Sequence, residues 1–314
     1  MSNVVFSVFT PTWNRIDSLK LVYECLSRQS FLDFEWIIVD DGSTDDTRAI
    51  VESWINDNVL FPIKLIVQEN SGKHIAQNKA VEIAKGLLFL PLDSDDTIVD
   101  NALEVLYEAW MSIPEQERES FSGIGVHCKD LSGNLIGTKW PNGRIVSNDL
   151  EIVFKYHVKG EKWGPIRTDI MRKYKNAEVK GHFLSESTVW FRIAKHYKKL
   201  YIDEALRYYV IHEDSVQKHE SFVDYANAES KITSSIIFIN EFWDWFLKYD
   251  IKFGIFQVLS GVKASVENNN SIVIGKTAYI HKVNPLLSKI IVVFSSPYYL
   301  VFNLFLKNRC ENQK

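Results

Sequence analysis

The chain has 314 residues, of which 46% are hydrophobic and 24% charged, and its formal net charge at pH 7 is -4. This composition is that of a globular protein and excludes a disordered or collagen-like chain, and the negative charge gives no electrostatic reason to expect nucleic acid as a partner. The three cysteines are spread without a CxxC pair, which favours a reducing compartment. A first strand close to Met1 leaves no room for a signal peptide, so we expect a cytoplasmic protein.

The first hundred residues alternate short apolar runs with longer amphipathic runs. The apolar runs, interpreted as strands, cover residues 4–10, 35–40, 63–68 and 87–92. The amphipathic runs, interpreted as helices, cover residues 18–28, 46–54 and 75–85. Strands that alternate with helices in this way predict an α/β fold, with a mostly parallel, doubly wound sheet flanked by helices.

Polar residues follow each of the four predicted strands. The four loops begin with Thr10, Asp40, Glu69 and Asp93. In doubly wound sheets, ligands bind outside the carboxyl ends of the strands, so these loops predict a nucleotide site at one edge of the sheet. The sequence has neither GxGxxG nor GxxxxGK[ST], which excludes the usual dinucleotide and P-loop motifs.

The fourth loop places Asp93, Asp95 and Asp96 within four residues, directly after a buried strand. Clustered carboxylates repel one another unless a cation lies between them, so the cluster favours a hard divalent cation such as Mg²⁺ or Mn²⁺. The alternative is a polar turn in which Asp96 or Asp100 caps the following helix. The residues alone leave both interpretations open.

Four segments together resemble the inverting glycosyltransferases of family 2, which have the GT-A fold, and in particular bacterial enzymes that build surface polysaccharides. The matching segments cover residues 6–15, 36–47, 70–78 and 92–96. The resemblance implies a Rossmann-like catalytic domain over residues 1–218, with a nucleotide-binding half at 1–115 and an acceptor-binding half at 116–218. It also implies a helical C-terminal region over residues 219–314.

The resemblance assigns a nucleoside pocket to the first two loops and the diphosphate to the third and fourth. Asp40 or Asp41 would accept a hydrogen bond from the imide N–H of a uracil or the equivalent edge of another base. Lys73 would lie near the diphosphate, at the N-terminus of a helix. The other residues that the resemblance assigns to the sugar nucleotide are Thr10, Pro11, Thr12, Arg15, Asp93 and Ser94. A turn and helix cap at residues 41–47 and a solvated Lys73 are the alternatives.

The resemblance also assigns a metal site for Mn²⁺ or Mg²⁺. Asp95 would ligate the ion most directly, and Asp93 would contact the ribose or a metal-bound water. His212 would join the coordination from a loop that closes the active site, with a histidine hydrogen-bonded at a strand end as the alternative. The metal would bridge the two phosphates of the donor.

An inverting transfer also needs a base for the acceptor hydroxyl. Relatives place an acidic residue ahead of a helix in the second half of the catalytic domain, and Glu186 is the matching candidate. This chain has Glu-Ser where many relatives have Glu-Asp, so the assignment falls on Glu186. The alternative is a first-turn carboxylate that the helix dipole favours.

After about residue 220 the sequence becomes helical and aromatic. Residues 285–309 combine an apolar run with flanking Lys and Arg, but Pro297 interrupts the run and it is shorter than the roughly 20 residues of a membrane span. We therefore predict peripheral contact with the cytoplasmic face of the inner membrane. A buried terminal helix pair or a dimer contact is the alternative, so a homo-oligomer is left open.

The resemblance and the motifs together predict an inverting, metal-dependent glycosyltransferase. It would move a hexose or N-acetylhexosamine from a nucleoside diphosphate sugar, with UDP as the expected nucleotide, to a hydroxyl of a growing glycan. A lipid-linked saccharide in surface polysaccharide biosynthesis is the expected acceptor. Two alternatives are a sugar nucleotidyltransferase, which would carry a glycine-rich loop after its first strand, and a non-catalytic scaffold that binds a sugar nucleotide.

Overall fold

The computed structural model describes residues 4–57, 60–179, 185–209, 228–269 and 278–284, together with Leu286, Lys289 and Val292. Two compact units make up the chain. The first contains residues 1–178 and 189–218, and the second contains residues 179–188 and 219–314. The predicted assignment of 1–115 and 116–218 to nucleotide-binding and acceptor-binding halves stays a prediction.

Within the described residues of the first unit, ten strands form one sheet. They are β1 (Phe6–Thr12), β2 (Phe34–Asp40), β3 (Ile63–Val67), β4 (Leu88–Pro91), β5 (Thr97–Ile98), β6 (Phe121–Lys129), β7 (Ile145–Ser147), β8 (Lys162–Trp163), β9 (Ile166–Arg167) and β10 (Lys198–Tyr208). The main order is β3-β2-β1-β4-β9-β6-β10-β5, and β7 and β8 pair with β10 and β6. The first four strands in this order are parallel, as are β6 and β10.

Helices lie between the strands along the chain, and in the described residues two more follow the last strand. They are α1 (Ile16–Ser27), α2 (Thr47–Asn56), α3 (Lys73–Ile83), α4 (Ala102–Met111), α5 (Thr168–Lys173), α6 (Ser187–Ala194), α7 (Ala228–Tyr249) and α8 (Ile251–Asn269). The first three follow β1, β2 and β3, where the sequence predicts helices. The predicted mostly parallel α/β fold with C-terminal helices is therefore confirmed.

The parallel strands are apolar on both faces because a core lies on each side of the sheet. On one side, Phe6 and Val8 of β1 pack with Leu19 and Val22 of α1. On the other side, Phe9 belongs to a second core formed with α3, α5 and residues 189–194. Side chains of one strand alternate between the two cores, as the period of two requires.

The strand register aligns the carboxyl ends of the parallel strands. Thr12 of β1 pairs with Asp40 of β2, and Asp40 pairs with Val67 of β3. The backbone N–H of Leu92, just after β4, donates to Phe9 O at 2.8 Å. The loops that follow these four strands therefore share one edge of the sheet.

In the second unit, α7 packs along α8, and α7 carries an apolar stripe. Ile232, Ile237, Phe242 and Phe246 of that stripe are buried, and Ile236 is half-buried. No helix in the described part of the chain has the length and hydropathy needed to cross a membrane. Most of the segment 285–309, where we predict membrane contact, lies outside the described residues.

Candidate functional site

Contacts between side chains and backbone join the four polar loops at the carboxyl edge of the sheet. Asn14, after β1, accepts at Oδ1 from Thr44 N at 2.7 Å, and its own N–H donates to Ser43 Oγ at 2.9 Å. Gly42 adopts φ +83°, and a Cβ there would lie 3.1 Å from Asn70 N in the third loop. Only glycine meets both conditions without strain, which explains its place between the carboxylates and the next helix.

The predicted nucleoside-binding residues of β1 differ in their burial and in their hydrogen bonds. Thr10 is buried, and its Oγ1 accepts from the indole N–H of Trp36 at 2.9 Å. Pro11 is half-buried. Thr12 is buried, and its Oγ1 has no hydrogen-bond partner among the described residues. A buried hydroxyl without a partner at the end of β1 is suited to bond a ligand.

Asp40 and Asp41 build the loops in which they lie. Asp40 Oδ1 accepts from Ser43 N at 2.9 Å. Asp41 Oδ1 accepts from Gln68 Nε2 and from Ser71 N, both at 2.7 Å, and its Oδ2 accepts from Gly72 N at 2.9 Å. Asp41 thus ties the end of β2 to the segment that precedes α3. The predicted contact of either carboxylate with a base stays a prediction.

Gln68 is a residue of this edge that the sequence analysis did not select. It follows β3 directly, it is buried, and its carboxamide donates to Asp41. Its Oε1 has no hydrogen-bond partner among the described residues. Its position in the sequence could have identified it. Gln68 is the first residue after β3, and the loop after the neighbouring strand β2 carries candidate site residues.

Two ion pairs hold Asp93 and Asp95, the half-buried carboxylates of the acidic loop. Asp93 Oδ1 lies 2.6 Å from Lys73 Nζ, at the start of α3. Asp95 Oδ2 lies 2.6 Å from Arg15 Nη1, which immediately precedes α1. Asp93 and Asp95 are half-buried, whereas Ser94 between them is buried. The structure therefore brings the predicted residues Arg15, Lys73, Asp93 and Asp95 together.

The charges around Asp93 favour its ionised form. Burial by itself would raise the pKa of this carboxyl group, but Lys73, Arg207 and Arg15 together hold the pKa below its ordinary value of 3.8. Asp93 is accordingly a carboxylate at neutral pH. Its negative charge is shared among three basic side chains that come from three different segments of the chain.

Arg207, near the end of β10, is a second residue that the sequence analysis did not select as part of the site. Its Nη2 lies 3.2 Å from Asp96 Oδ2 and 3.3 Å from Glu161 Oε1. Both Arg207 and Asp96 are buried, and Val99 N donates to Leu206 O at 3.0 Å beside them. Burial would lower the pKa of Arg207, but Asp96 and the other acidic neighbours raise it, so the guanidinium stays charged.

The chemistry of the acidic loop fits a divalent cation. Asp93 and Asp95 supply the carboxylate oxygens that hard cations prefer, and neither side chain is sealed from solvent. Among the described residues no three acidic, histidine or cysteine side chains converge on one point, so further ligands would come from a diphosphate or from residues such as His212. His212 itself lies outside the described residues.

Glu186 lies directly before α6, as predicted, and it is half-buried. Ser185 O accepts from both Thr188 N and Thr188 Oγ1, at 3.1 and 2.8 Å, which closes the first turn of the helix. Glu186 belongs to the second compact unit, with residues 179–188. Its role as the base stays a prediction.

Comparisons with known proteins match the first part of the chain to a family model. The model of the family described as glycosyl transferase family 2 matches residues 7–116. A GalNAc(5)-diNAcBac-PP-undecaprenol beta-1,3-glucosyltransferase of Campylobacter jejuni is 28% identical over 217 residues, which are 67% of this chain and 66% of the relative. The putative teichuronic acid biosynthesis glycosyltransferase TuaG of Bacillus subtilis is 36% identical over 127 residues, 40% of this chain and 48% of the relative. The chain thus spans between about half and two thirds of the length of these relatives.

Solved structures show the same fold. Residues 1–349 of TarS from S. aureus, in complex with UDP-GlcNAc, superpose with a TM-score of 0.59 at 21% identity, over 89% of this chain and 82% of that one. The mannosyltransferase PcManGT of Pyrobaculum calidifontis, in complex with GDP-Man and Mn²⁺, gives a TM-score of 0.56 at 16% identity, over 94% and 80%. These two likenesses confirm the predicted GT-A-type fold. Residues 7–116 of this chain match the glycosyl transferase family 2 model, the family that the sequence resembles.

Proposed function

We propose that the chain is an inverting, metal-dependent glycosyltransferase that moves one sugar from a UDP-sugar to a hydroxyl of a lipid-linked glycan in surface polysaccharide biosynthesis. The observation that carries this proposal is the pair of contacts Lys73–Asp93 and Arg15–Asp95 at the carboxyl edge of a family 2 domain. These contacts place two cations and two carboxylates where a doubly wound sheet binds a nucleotide.

The two basic side chains suit the charges of a diphosphate. Lys73 begins α3, so its ammonium group and the helix N-terminus both favour negative charge. Arg15 is exposed and can turn from Asp95 to a phosphate oxygen. Asp93 and Asp95, together with His212, would hold the divalent cation. When bound, this cation supplies positive charge to the departing nucleoside diphosphate.

Gln68 and Thr12 suit the recognition of a uracil. The unpaired Oε1 of Gln68 would accept from the imide N–H of the base, and the unpaired hydroxyl of Thr12 would donate to a neighbouring carbonyl oxygen. Asp41 would act through Gln68, because its carboxylate fixes the carboxamide. The UDP-GlcNAc bound to TarS supports UDP as the nucleotide.

The proposed reaction is a single displacement with inversion. The acceptor oxygen forms a bond to the anomeric carbon while the bond from that carbon to the diphosphate oxygen breaks, and the electron pair leaves with the diphosphate. The hydroxyl proton passes to the carboxylate of Glu186. The undecaprenol-linked substrate in the name of the Campylobacter relative supports a lipid-linked acceptor, and with it a site of action at the cytoplasmic face of the membrane.

The proposal is tested by release of nucleoside diphosphate from UDP-, GDP- and dTDP-sugars, with Mn²⁺ or Mg²⁺ and with EDTA. We expect turnover of a UDP-sugar that requires the metal and falls about 100-fold or more in Asp95→Ala and Glu186→Gln. Asp100→Ala and Glu178→Gln are matched controls, because both side chains are exposed and lie outside the proposed site. Both controls should retain full turnover.

Other outcomes would contradict the proposal. Release of pyrophosphate from a nucleoside triphosphate and a sugar phosphate would identify a nucleotidyltransferase. Binding of a sugar nucleotide with no transfer to any lipid-linked acceptor, unchanged in Asp95→Ala, would identify a scaffold protein. Absence of metal-dependent binding to every donor would exclude the proposed site.

A further inference from the structure

In the second unit, α7 and α8 form an antiparallel hairpin that turns at Asp250. Asp250 Oδ1 accepts from Phe253 N at 3.0 Å and so closes the first turn of α8. Inside the hairpin, the rings of Phe246 and Phe253 lie 5.2 Å apart, and Ser235 Oγ of α7 donates to Gln257 O of α8 at 2.5 Å. The inner face of the hairpin is therefore filled by its own side chains.

The outer surface of the turn is apolar. We define the hairpin tip as residues 247–256. Four of its large hydrophobic side chains are exposed: Leu247 at 50%, Ile251 at 37%, Ile255 at 37% and Phe256 at 61%. Ile251 and Ile255 are four residues apart in α8, so the helical repeat keeps these two on one side of that helix, and Leu247 lies in the last turn of α7, next to the start of α8. Exposed apolar side chains that cluster in this way mark an interaction surface, unlike single ones scattered over a protein.

Basic side chains lie among these apolar ones. Lys248 and Lys252 are exposed, and the ammonium group of Lys248 lies 4.8 Å from the centre of the Tyr249 ring. The only acidic residue of the tip, Asp250, uses its carboxylate to cap α8. The tip thus has a net charge of +1, from two lysines and one aspartate. Asp244, which is also exposed, lies one turn before the tip and is not included in this charge.

We propose that the hairpin tip docks on an anionic lipid bilayer. The four apolar side chains would enter the boundary between headgroups and acyl chains, and Lys248 and Lys252 would reach the lipid phosphates on their flexible stems. A second copy of this chain fits the surface less well. In a two-fold contact, the lysines of both copies would be brought together and would lose water, and the one carboxylate of the tip, that of Asp250, is already engaged in capping α8.

The hairpin tip is a different segment of the sequence from residues 285–309, and the inference does not depend on the proposed transfer reaction. The test uses the full chain and co-sedimentation with vesicles of phosphatidylcholine alone or of phosphatidylcholine mixed with phosphatidylglycerol. We expect binding to the mixed vesicles and about tenfold weaker binding for Phe256→Glu and for Ile251→Glu, since each variant puts a charge in place of an exposed apolar side chain that would enter the bilayer. Lys248→Glu combined with Lys252→Glu should remove the preference for the anionic lipid.

Leu131→Glu is the matched control, because Leu131 is 71% exposed in a turn of the first unit and its replacement should leave vesicle binding unchanged. Absence of binding by the unaltered chain would overturn the inference, and so would equal binding by Phe256→Glu. Light scattering in solution gives an independent outcome. A dimer that Phe256→Glu dissociates would show that the surface binds a second copy instead. Transfer to a soluble acceptor reports on the proposed function alone, so the two failures are distinguishable.

Discussion

Two acidic loops at the same edge of the sheet use their carboxylates in different ways. In the loop after β2, Asp41 accepts three hydrogen bonds, two of them from backbone N–H groups, and it is buried. In the loop after β4, Asp93 and Asp95 are half-buried and pair with the side chains of Lys73 and Arg15. Backbone donors cannot leave without unfolding the loop, whereas side-chain cations can exchange partners. The first loop is therefore suited to support the site, and the second to bind a charged ligand.

The largest effect should come from the buried pair behind the second loop. Arg207→Met would leave Asp96 buried without its guanidinium partner, and we expect a loss of about 4 kcal/mol in the free energy of unfolding, measured by urea denaturation. The matched control is Arg28→Met, because Arg28 pairs with Asp100 at 3.2 Å on the surface. That change should cost less than about 1 kcal/mol. Equal effects of the two variants would show that the buried pair does not support the loop.

A slightly smaller loss is expected in the first loop. Asp41→Ala removes the acceptor of three hydrogen bonds and leaves the N–H groups of Ser71 and Gly72 unpaired, so we expect about 3 kcal/mol of destabilisation. Thermal unfolding measures this change. Asp46→Ala is the control in the same loop, since the exposed Asp46 precedes α2 without a side-chain capping bond. If both variants unfold alike, the supporting role of Asp41 is wrong.

Recognition of the nucleobase is tested at Gln68, whose carboxamide donates to Asp41 of the first loop. Gln68→Leu removes the unpaired Oε1, and we expect the ratio of UDP affinity to CDP affinity, measured by calorimetry, to fall about tenfold. The neighbouring exposed Glu69 provides the control Glu69→Gln, which should leave the ratio unchanged. An unchanged ratio in Gln68→Leu would contradict base recognition by this residue.

The smallest effect is expected from the exchangeable pairs of the second loop. The pKa of Asp93 in the folded protein lies below its ordinary value of 3.8. The ion pair with Lys73 therefore stabilises the fold at pH values above 3.8, and this stabilisation is lost as the pH falls through the pKa of the folded state. Lys73→Met should lower the free energy of unfolding at pH 7 by less than about 1 kcal/mol, because the pair is only half-buried. The difference from the unaltered chain should shrink in unfolding experiments at progressively lower pH. A difference that grows on acidification would have the wrong sign for this pair.

Much of the fold could be predicted because local patterns and tertiary structure agree over the first hundred residues. The apolar run at 35–40 became β2 at Phe34–Asp40, and the amphipathic run at 18–28 became α1 at Ile16–Ser27. A parallel strand buried on both faces leaves a continuous apolar signature, and its polar continuation marks the ligand edge. These patterns marked the loops, and the resemblance to glycosyltransferase family 2 then assigned Arg15, Lys73, Asp93 and Asp95 to the site before any contact was known.

Other features could not be predicted because they depend on segments far apart in the sequence. Arg207 lies more than a hundred residues after Asp96, and only the pairing of β5 with β10 brings the two together. Short strands such as β8 and β9 have two residues each and carry no periodic signal. Trp163 of β8 is a further example, since its indole N–H donates to Pro91 O, more than seventy residues earlier in the chain.

Local periodicity and short motifs were enough to predict the parallel sheet, the resemblance to glycosyltransferase family 2 and the residue types at the ligand edge of the sheet. Only the tertiary structure decided how each carboxylate is satisfied. Asp41 is engaged by backbone donors and Asp95 by the exposed side chain of Arg15, although both are acidic residues in loops after a buried strand. The reason is physical: a hydrogen-bond partner is chosen by distance in space, and the spacing of residues along the chain does not encode that distance.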